Sequence, residues 1–246
     1  RDVSGFNLNY FTASYKSINI TVKPFPDPSS SLSSEYRPLY NGNINSMAVN
    51  ISKFNQPQLY NYQYDQLNRL VGMDVYRGLD QANNNWNSLA ITGDYKERAI
   101  YDGNGNIMKY LRQGFGGNPE MDSLTYKYLS GTNKLDFVRD RIYDDASYGS
   151  HYSSDIDDQA QGNYTYDAIG NLIKDNQEKL NSITWNVYGK IIYISKNTTL
   201  NTNSTGITYY YDPLGNRIGK SVENYQTPGQ YDWYVRDAQG NVMAVY

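Results

Sequence analysis

Tyr166-Asp167-Ala168-Ile169-Gly170-Asn171-Leu172 reads as the end of one strand, a tight turn and the start of the next. An Asp at the head of a turn accepts backbone N–H groups, and Gly and Asn tolerate the positive φ that closes a short hairpin. The aromatic residue before the Asp packs on the hairpin so formed. The pattern recurs at Tyr64-Asp65-Gln66-Leu67-Asn68-Arg69-Leu70, Tyr101-Asp102-Gly103-Asn104-Gly105-Asn106-Ile107 and Tyr211-Asp212-Pro213-Leu214-Gly215-Asn216-Arg217. A further copy, Arg236-Asp237-Ala238-Gln239-Gly240-Asn241-Val242, carries Arg in the Tyr place.

Two degenerate copies fill gaps in the spacing. Tyr126-Lys127-Tyr128-Leu129-Ser130-Gly131-Thr132-Asn133-Lys134-Leu135 lacks the Asp, and Trp185-Asn186-Val187-Tyr188-Gly189-Lys190-Ile191 has Trp-Asn for Tyr-Asp. Units then begin at 64, 101, 128, 166, 185, 211 and 236, at steps of 37, 27, 38, 19, 26 and 25 residues. A recurring unit of this length signals a repeat architecture, in which no unit buries its apolar face alone.

Between the turns the period is two. Ile183, Trp185 and Val187 alternate with Thr184 and Asn186, and Tyr231, Trp233 and Val235 alternate with Asp232 and Tyr234. Helical periodicity is nearly absent. The expected fold is therefore all-β, an array of antiparallel hairpins over residues 61–246. A less regular strand region over residues 1–60 is expected to be continuous with it. Loops are expected at Pro24 to Pro38, Gly114 to Pro119, Ser147 to Gly162 and Lys196 to Gly206.

Composition narrows the function. Tyr is present 27 times against 6 Phe and 3 Trp, so amphipathic rings must do much of the burial. A net charge of −3 without a basic cluster gives a nucleic acid backbone no electrostatic reason to bind. With no Cys, disulfides, thiolate catalysis and Cys-based zinc sites are excluded. No apolar run is long enough to span a membrane. Arg1 with no leader after it is expected of a mature or excised piece.

Several copies of Tyr-Asp-x-x-Gly-Asn resemble the YD-repeat, or Rhs-repeat, proteins. Asn41-Gly42-Asn43-Ile44 and Tyr64 to Leu70 resemble the bacterial version, and Tyr234 to Val242 resembles the segment leading into that family's core domain. The resemblance covers roughly residues 36–246. It implies a curved sheet of hairpins that forms part of a hollow shell or barrel. In polymorphic toxins and insecticidal toxin complexes the shell encloses a C-terminal toxin, and in teneurins a related barrel serves adhesion. The family's self-cleaving module lies downstream of the repeats, so its catalytic aspartates map to no position here. An intact shell uses many more repeats. This chain is expected to form a strip whose sheet ends can pair with another chain.

The candidate site residues are structural: Tyr64, Asp65, Tyr101, Asp102, Asn106, Tyr166, Asp167, Gly170, Asn171, Tyr211, Asp212, Gly215, Asn216, Asp237, Gly240 and Asn241. Tyr60, Tyr62, Tyr209 and Tyr210 stand outside the repeated position and are the candidate glycan contacts, since aromatic faces suit sugar rings. Other chemistries weigh less. Asp102 to Asn106 resembles half of an EF-hand loop but lacks the distal Glu and flanking helices. Asp155, Asp157 and Asp158 form an acidic loop whose default is solvation. His151 with Ser150, Ser153 or Ser154 lacks a nucleophile-elbow context. Many of the carboxylates that could pair for glycoside hydrolysis sit in turns. Asn50-Ile51-Ser52 and Asn203-Ser204-Thr205 match the glycosylation pattern in an Asn-rich chain, which gives them little weight.

The expected function is that of a non-enzymatic structural segment with no cofactor and no metal. It would enclose or present a C-terminal polypeptide, with the remaining repeats and that domain of the parent chain as partners. The alternative is an adhesion module binding glycans or a protein through its tyrosine-rich surface. Either would be secreted or at the cell surface.

Overall fold

Alternating residues and glycine-closed turns build strands almost throughout. The computed structural model of the chain describes residues 4–19, 21–51, 53, 56–87, 89–116, 120–142, 156, 158–197, 204–224 and 227–246. His151, Ser150, Ser153, Ser154, Asp155, Asp157 and Asn203 lie outside the described residues. The described part is nearly all-β, in two antiparallel sheets.

The first sheet contains β1 (Ser4–Asn9), β2 (Ser46–Ile51), β3 (Gln58–Tyr64), β4 (Leu70–Arg77), β5 (Ala90–Ile91), β6 (Glu97–Tyr101), β7 (Ile107–Gln113), β8 (Glu120–Tyr128) and β9 (Leu135–Asp140). Its order follows the chain, except that β5 pairs with β4 off the main path. The second is a meander of β10 (Tyr164–Tyr166), β11 (Leu172–Asp175), β12 (Leu180–Trp185), β13 (Ile191–Asn197), β14 (Ser204–Tyr211), β15 (Arg217–Asn224), β16 (Thr227–Arg236) and β17 (Val242–Val245). By contacts the chain divides into two compact units, Arg1–Thr125 with Arg139–Asp157, and Tyr126–Val138 with Asp158–Tyr246.

The first unit has a layered core. One face of β2, β3 and β4 presents Ala48, Leu59 and Tyr76, which the register places side by side. Leu32, Tyr36 and Trp86 close over them, with Phe25, Leu79 and Leu89 at the margin. Leu32 belongs to α1 (Ser29–Leu32), which runs on into a 3-10 turn over Ser33–Glu35. The stretch from Pro24 to Pro38, expected as a loop, is thus in part the helical lid of this core. Trp86 Nε1 donates to the Pro26 carbonyl at 2.9 Å, which ties the lid to the β4–β5 loop.

Along the same face the core turns polar. Asn9, Ser46, Asn61 and Asp74 sit opposite one another across β1–β4, all buried. Asp74 accepts both oxygens' worth of bonds from Arg98 Nη2, at 2.6 and 2.8 Å, and a third from Gln63 Nε2 at 2.8 Å. Gly72 makes room for both donors, since a β-carbon there would lie 2.8 Å from Gln63 Oε1 and 3.2 Å from Arg98 Nη1. A buried carboxylate needs this full set of partners to be tolerated.

The second unit has no comparable lid among the described residues. The register aligns Ile183, Ile194, Ile207 and Val222 in one row on one face. The other face carries Thr184, Tyr193, Thr208, Ser221 and Tyr231 in a row. Aromatic rings there lie over glycines. A β-carbon on Gly219 would meet Trp233 at 2.6 Å, and one on Gly206 would meet Tyr193 at 3.1 Å.

Candidate functional site: the ladder of Asp turns

Each Tyr-Asp unit is the closed end of a hairpin. In the unit at 166 the Asp167 N–H donates to the Asn171 carbonyl at 2.9 Å and the Gly170 N–H to the Asp167 carbonyl at 3.2 Å. Gly170 has φ of +99°, the left-handed position that follows a type I turn in a bulged hairpin. The register skips a residue beside Tyr166, as such a bulge requires. Asp167 Oδ1 accepts the N–H groups of Ile169 and Asn171 at 3.1 and 2.8 Å, and Oδ2 accepts the Asn171 side-chain amide at 2.9 Å.

The same clamp recurs in the turns headed by Asp102, Asp212 and Asp237. Their Oδ2 atoms take the side-chain amides of Asn106, Asn216 and Asn241 at 2.9, 3.1 and 2.8 Å. In the turn at 65, Asn68 stands in the glycine place with φ of +61°. Arg69 takes the Asn role there, Nε donating to Asp65 Oδ2 at 2.6 Å. Asn186 keeps the Oδ1 half of the clamp, accepting from Tyr188 and Lys190 at 3.0 Å each. The copy at 128 closes one residue longer: Leu129 N–H donates to the Lys134 carbonyl, and Thr132 Oγ1 accepts from Lys134 N–H.

These bonds act on the carboxylates' acidity. Asp102, Asp212 and Asp237 are held below the usual Asp value first by the Asn side-chain amide. Asp65 is lowered first by the Arg69 backbone N–H. At Asp167 partial desolvation pushes upward, and the bonds from Asn171, Ile169 and Gly170 outweigh it.

The aromatic residue does more than pack. Tyr64, Tyr101, Tyr166 and Tyr211 donate their hydroxyls to the carbonyls of Ile44, Leu70, Leu135 and Ile191 at 2.8–3.0 Å. Apart from Ile44, each acceptor is the first residue after the preceding unit's turn. Where Tyr is replaced, the substitute reaches the equivalent carbonyl. Trp185 Nε1 donates to Leu172 at 2.8 Å, and Arg236 Nε to Arg217 at 2.8 Å. Ile44 follows Asn41-Gly42-Asn43, and Asn41 Nδ2 bonds Asn68 Oδ1 at 2.7 Å, so that segment stands in as a preceding turn.

Successive turns also touch through their last residue. A β-carbon on Gly105 would meet Arg69 at 3.7 Å, on Gly170 Lys134 at 3.6 Å, on Gly215 Lys190 at 3.9 Å and on Gly240 Asn216 at 3.3 Å. Arg69 and Lys134 in addition lie over the rings of Tyr101 and Tyr166, at 4.6 and 5.7 Å from the centroids. The residue that closes one turn therefore covers the glycine of the next. The third residue of the turn points outward, leaving Leu67, Ile169 and Leu214 exposed.

The four candidate glycan tyrosines fall into two places. Tyr60 and Tyr62 share one face of β3, half-buried; Tyr60 donates to Gln58 Oε1 at 2.7 Å. Burial, with Tyr95 beside Tyr60 and with Tyr60 and Tyr64 beside Tyr62, raises both phenols, Tyr62 to about 12. Tyr209 and Tyr210 are consecutive on β14 and face opposite ways. Tyr209 lies under Arg217 at 4.5 Å, and Tyr210 against Trp233 with centroids 5.4 Å apart. More open rings are Tyr231 and Trp233, 50% and 44% exposed, nearly parallel and 6.4 Å apart. Their alternation is legible in the sequence, but the seat of Trp233 over Gly219 is set by the pairing of β15 with β16.

Fold and turns together define an all-β hairpin-repeat protein. No protein-family model matches the chain, and no curated protein matches it in sequence. Among solved structures it is similar to the crystal structure of TcdB2-TccC3 without the hypervariable C-terminal region, at 14% identity and a TM-score of 0.42, over 82% of this chain and 12% of that one. It is also similar to TcdB2-TccC3-TEV, at 13% identity and a TM-score of 0.33, over 80% of this chain and 13% of that one. The chain thus spans a small part of the length of the structures it matches. No helix among the described residues is long and apolar enough to cross a membrane.

Proposed function

We propose that this chain is a non-enzymatic wall segment of a YD/Rhs-type shell, secreted or at the cell surface, that encloses or presents a C-terminal polypeptide such as a toxin. The observation that carries this reading is how the repeated residues are used. Asp, Gly and Asn close each turn on its own backbone, and the aromatic donor is committed to a carbonyl of the preceding unit. A residue type required once per unit for that purpose builds length, and any cargo-bearing or catalytic part lies elsewhere in the parent protein. The native reading frame beyond the Tyr246 codon tests it. Further Tyr-Asp units running into an unrelated C-terminal domain, protected from protease in the purified parent protein, are the expected outcome. A stop codon close behind, with no such domain, overturns it.

The parallel, half-exposed rings of Tyr231 and Trp233 favour a second reading, adhesion to glycans or a protein through the tyrosine-rich surface. Glycan-array binding that is lost on changing Trp233, Tyr209 or Tyr210 with the fold intact would bring it forward. Silence across broad arrays would remove it.

A further inference from the structure

In the first unit a cavity of about 410 Å³ opens beside the polar end of the core. We propose that it binds a carboxylated sugar, a uronic acid residue or short uronide. The site shares the Tyr64 ring with the turn ladder, but its polar and charged lining lies outside the turns, and it depends on neither reading above.

The floor is already neutralised. Arg98 and Gln63 saturate Asp74, and Arg98 Nη1 also donates to the Met73 and Glu97 carbonyls at 3.0 and 2.7 Å. These groups are fixed and offer no free charge. The rim differs. Arg37 and Lys96 line the same cavity, and neither side chain has an anionic partner among the described residues. Against them stands Glu35, one oxygen of which accepts the Tyr76 hydroxyl. Beyond the neutralised floor the lining carries two cations and one carboxylate, which leaves a net positive rim for an incoming anion.

Size and the remaining polar atoms select the class of anion. Ligand pockets measure roughly 300–1,000 Å³, and a simple inorganic anion would leave most of this one empty. The second Glu35 oxygen, Gln63 Oε1 and the Ser34 hydroxyl have no hydrogen bond among the described residues and can meet sugar hydroxyls. Val71, Ile91 and the Tyr64 ring supply apolar wall for the faces of a pyranose. A uronide offers all three: a carboxylate for Arg37 and Lys96, hydroxyls for the acceptors and a flat C–H face for the wall.

The test is calorimetric titration of the whole chain at low salt with digalacturonate, a neutral galactose disaccharide and glucose 6-phosphate. Digalacturonate should bind, and raised salt should weaken it. Lys96→Gln and Arg37→Gln should each weaken it by about tenfold, the scale of one charge-assisted hydrogen bond. Lys190→Gln, which removes a like charge from the second unit, should leave affinity unchanged. Neither Lys96 nor Arg37 holds an ion pair among the described residues, so both variants should melt as the parent does. No heat with digalacturonate, or equal binding of the neutral sugar, overturns the site. Glucose 6-phosphate binding more tightly than the uronide overturns the carboxylate assignment, and unchanged affinity in both variants overturns the placement.

Discussion

The two units solve the same problem in different ways. In the first, a short helical lid and Trp86 bury a cluster around Leu59 and Ala48, so apolar burial supports the sheet from one side. In the second, Val138 and Ile183 are the hydrophobic residues buried to the same degree among those described. The second unit relies on devices that the first also carries at Asp65 and Asp102: the turn clamp, the aromatic-to-carbonyl bond and the residue laid over the next glycine. A sheet so thin has little core to lose, and its stability is distributed over many small polar terms. Local damage to a turn should therefore matter relatively more in the second unit, and damage to the core should matter more in the first.

The largest expected effect breaks the comparison on the side of the first unit. Trp86 is 1% exposed and hydrogen-bonded to the lid, so Trp86→Ala should destabilise that unit by about 3–5 kcal/mol. Amide hydrogen exchange is the suitable readout, because it reports by residue. Protection in β3 and β4 should fall while that in β13–β15 is retained. A uniform loss across both units would mean that they unfold as one and that the contrast has no energetic content.

A smaller effect is expected from the turns of the second unit. Gly170 and Gly215 have φ of +99° and +82°, where a β-branched side chain is strained. Gly170→Val and Gly215→Val should each lose about 1–2 kcal/mol through that backbone strain, since a β-carbon at either position meets Lys134 or Lys190 only at ordinary contact distance. Thermal unfolding of both variants indistinguishable from the parent would contradict the positive-φ assignment. A loss confined to the hairpin that carries the substitution would sharpen it.

Which parts could be read in advance follows from the range of the interactions. The Asp turns are local, with every partner within four residues, so Asp167, Gly170 and Asn171 announce themselves in the chain, as does the degenerate Asn186 copy. The hairpin-packing reading of Tyr166 was incomplete, because its hydroxyl acceptor, Leu135, lies 31 residues away and is set by how one unit follows another. Arg69 in the place of Asn was hidden by its residue type, although an Nε–H can donate where an amide does. The lid at 29–35 is too short to show a helical period. Its function appears only once Leu32 and Tyr36 are seen against Leu59. The row of Asn9, Ser46, Asn61 and Asp74 joins four strands, and no local pattern marks it.

The smallest expected effect is also the most local, and Asn186 makes it interpretable. The aspartates of the turns have folded-state acidities below the ordinary carboxylate value of 3.8. Their contribution to stability is complete above that value and is lost as pH falls through the folded-state pKa, because the unfolded chain takes up the proton first. Melting temperature should therefore decline below about pH 4. An amide side chain cannot follow. On acid titration the amide proton resonances of Ile169 and Asn171, and of Leu214 and Asn216, should shift together as Asp167 and Asp212 protonate and their Oδ1 bonds weaken. Those of Tyr188 and Lys190, held by Asn186, should stay in place. If all three turns moved together, the titration would be reporting the whole sheet and not the clamps. If only the Asp turns moved, each turn would be an independent element, and the thin unit would owe its stability to the number of them.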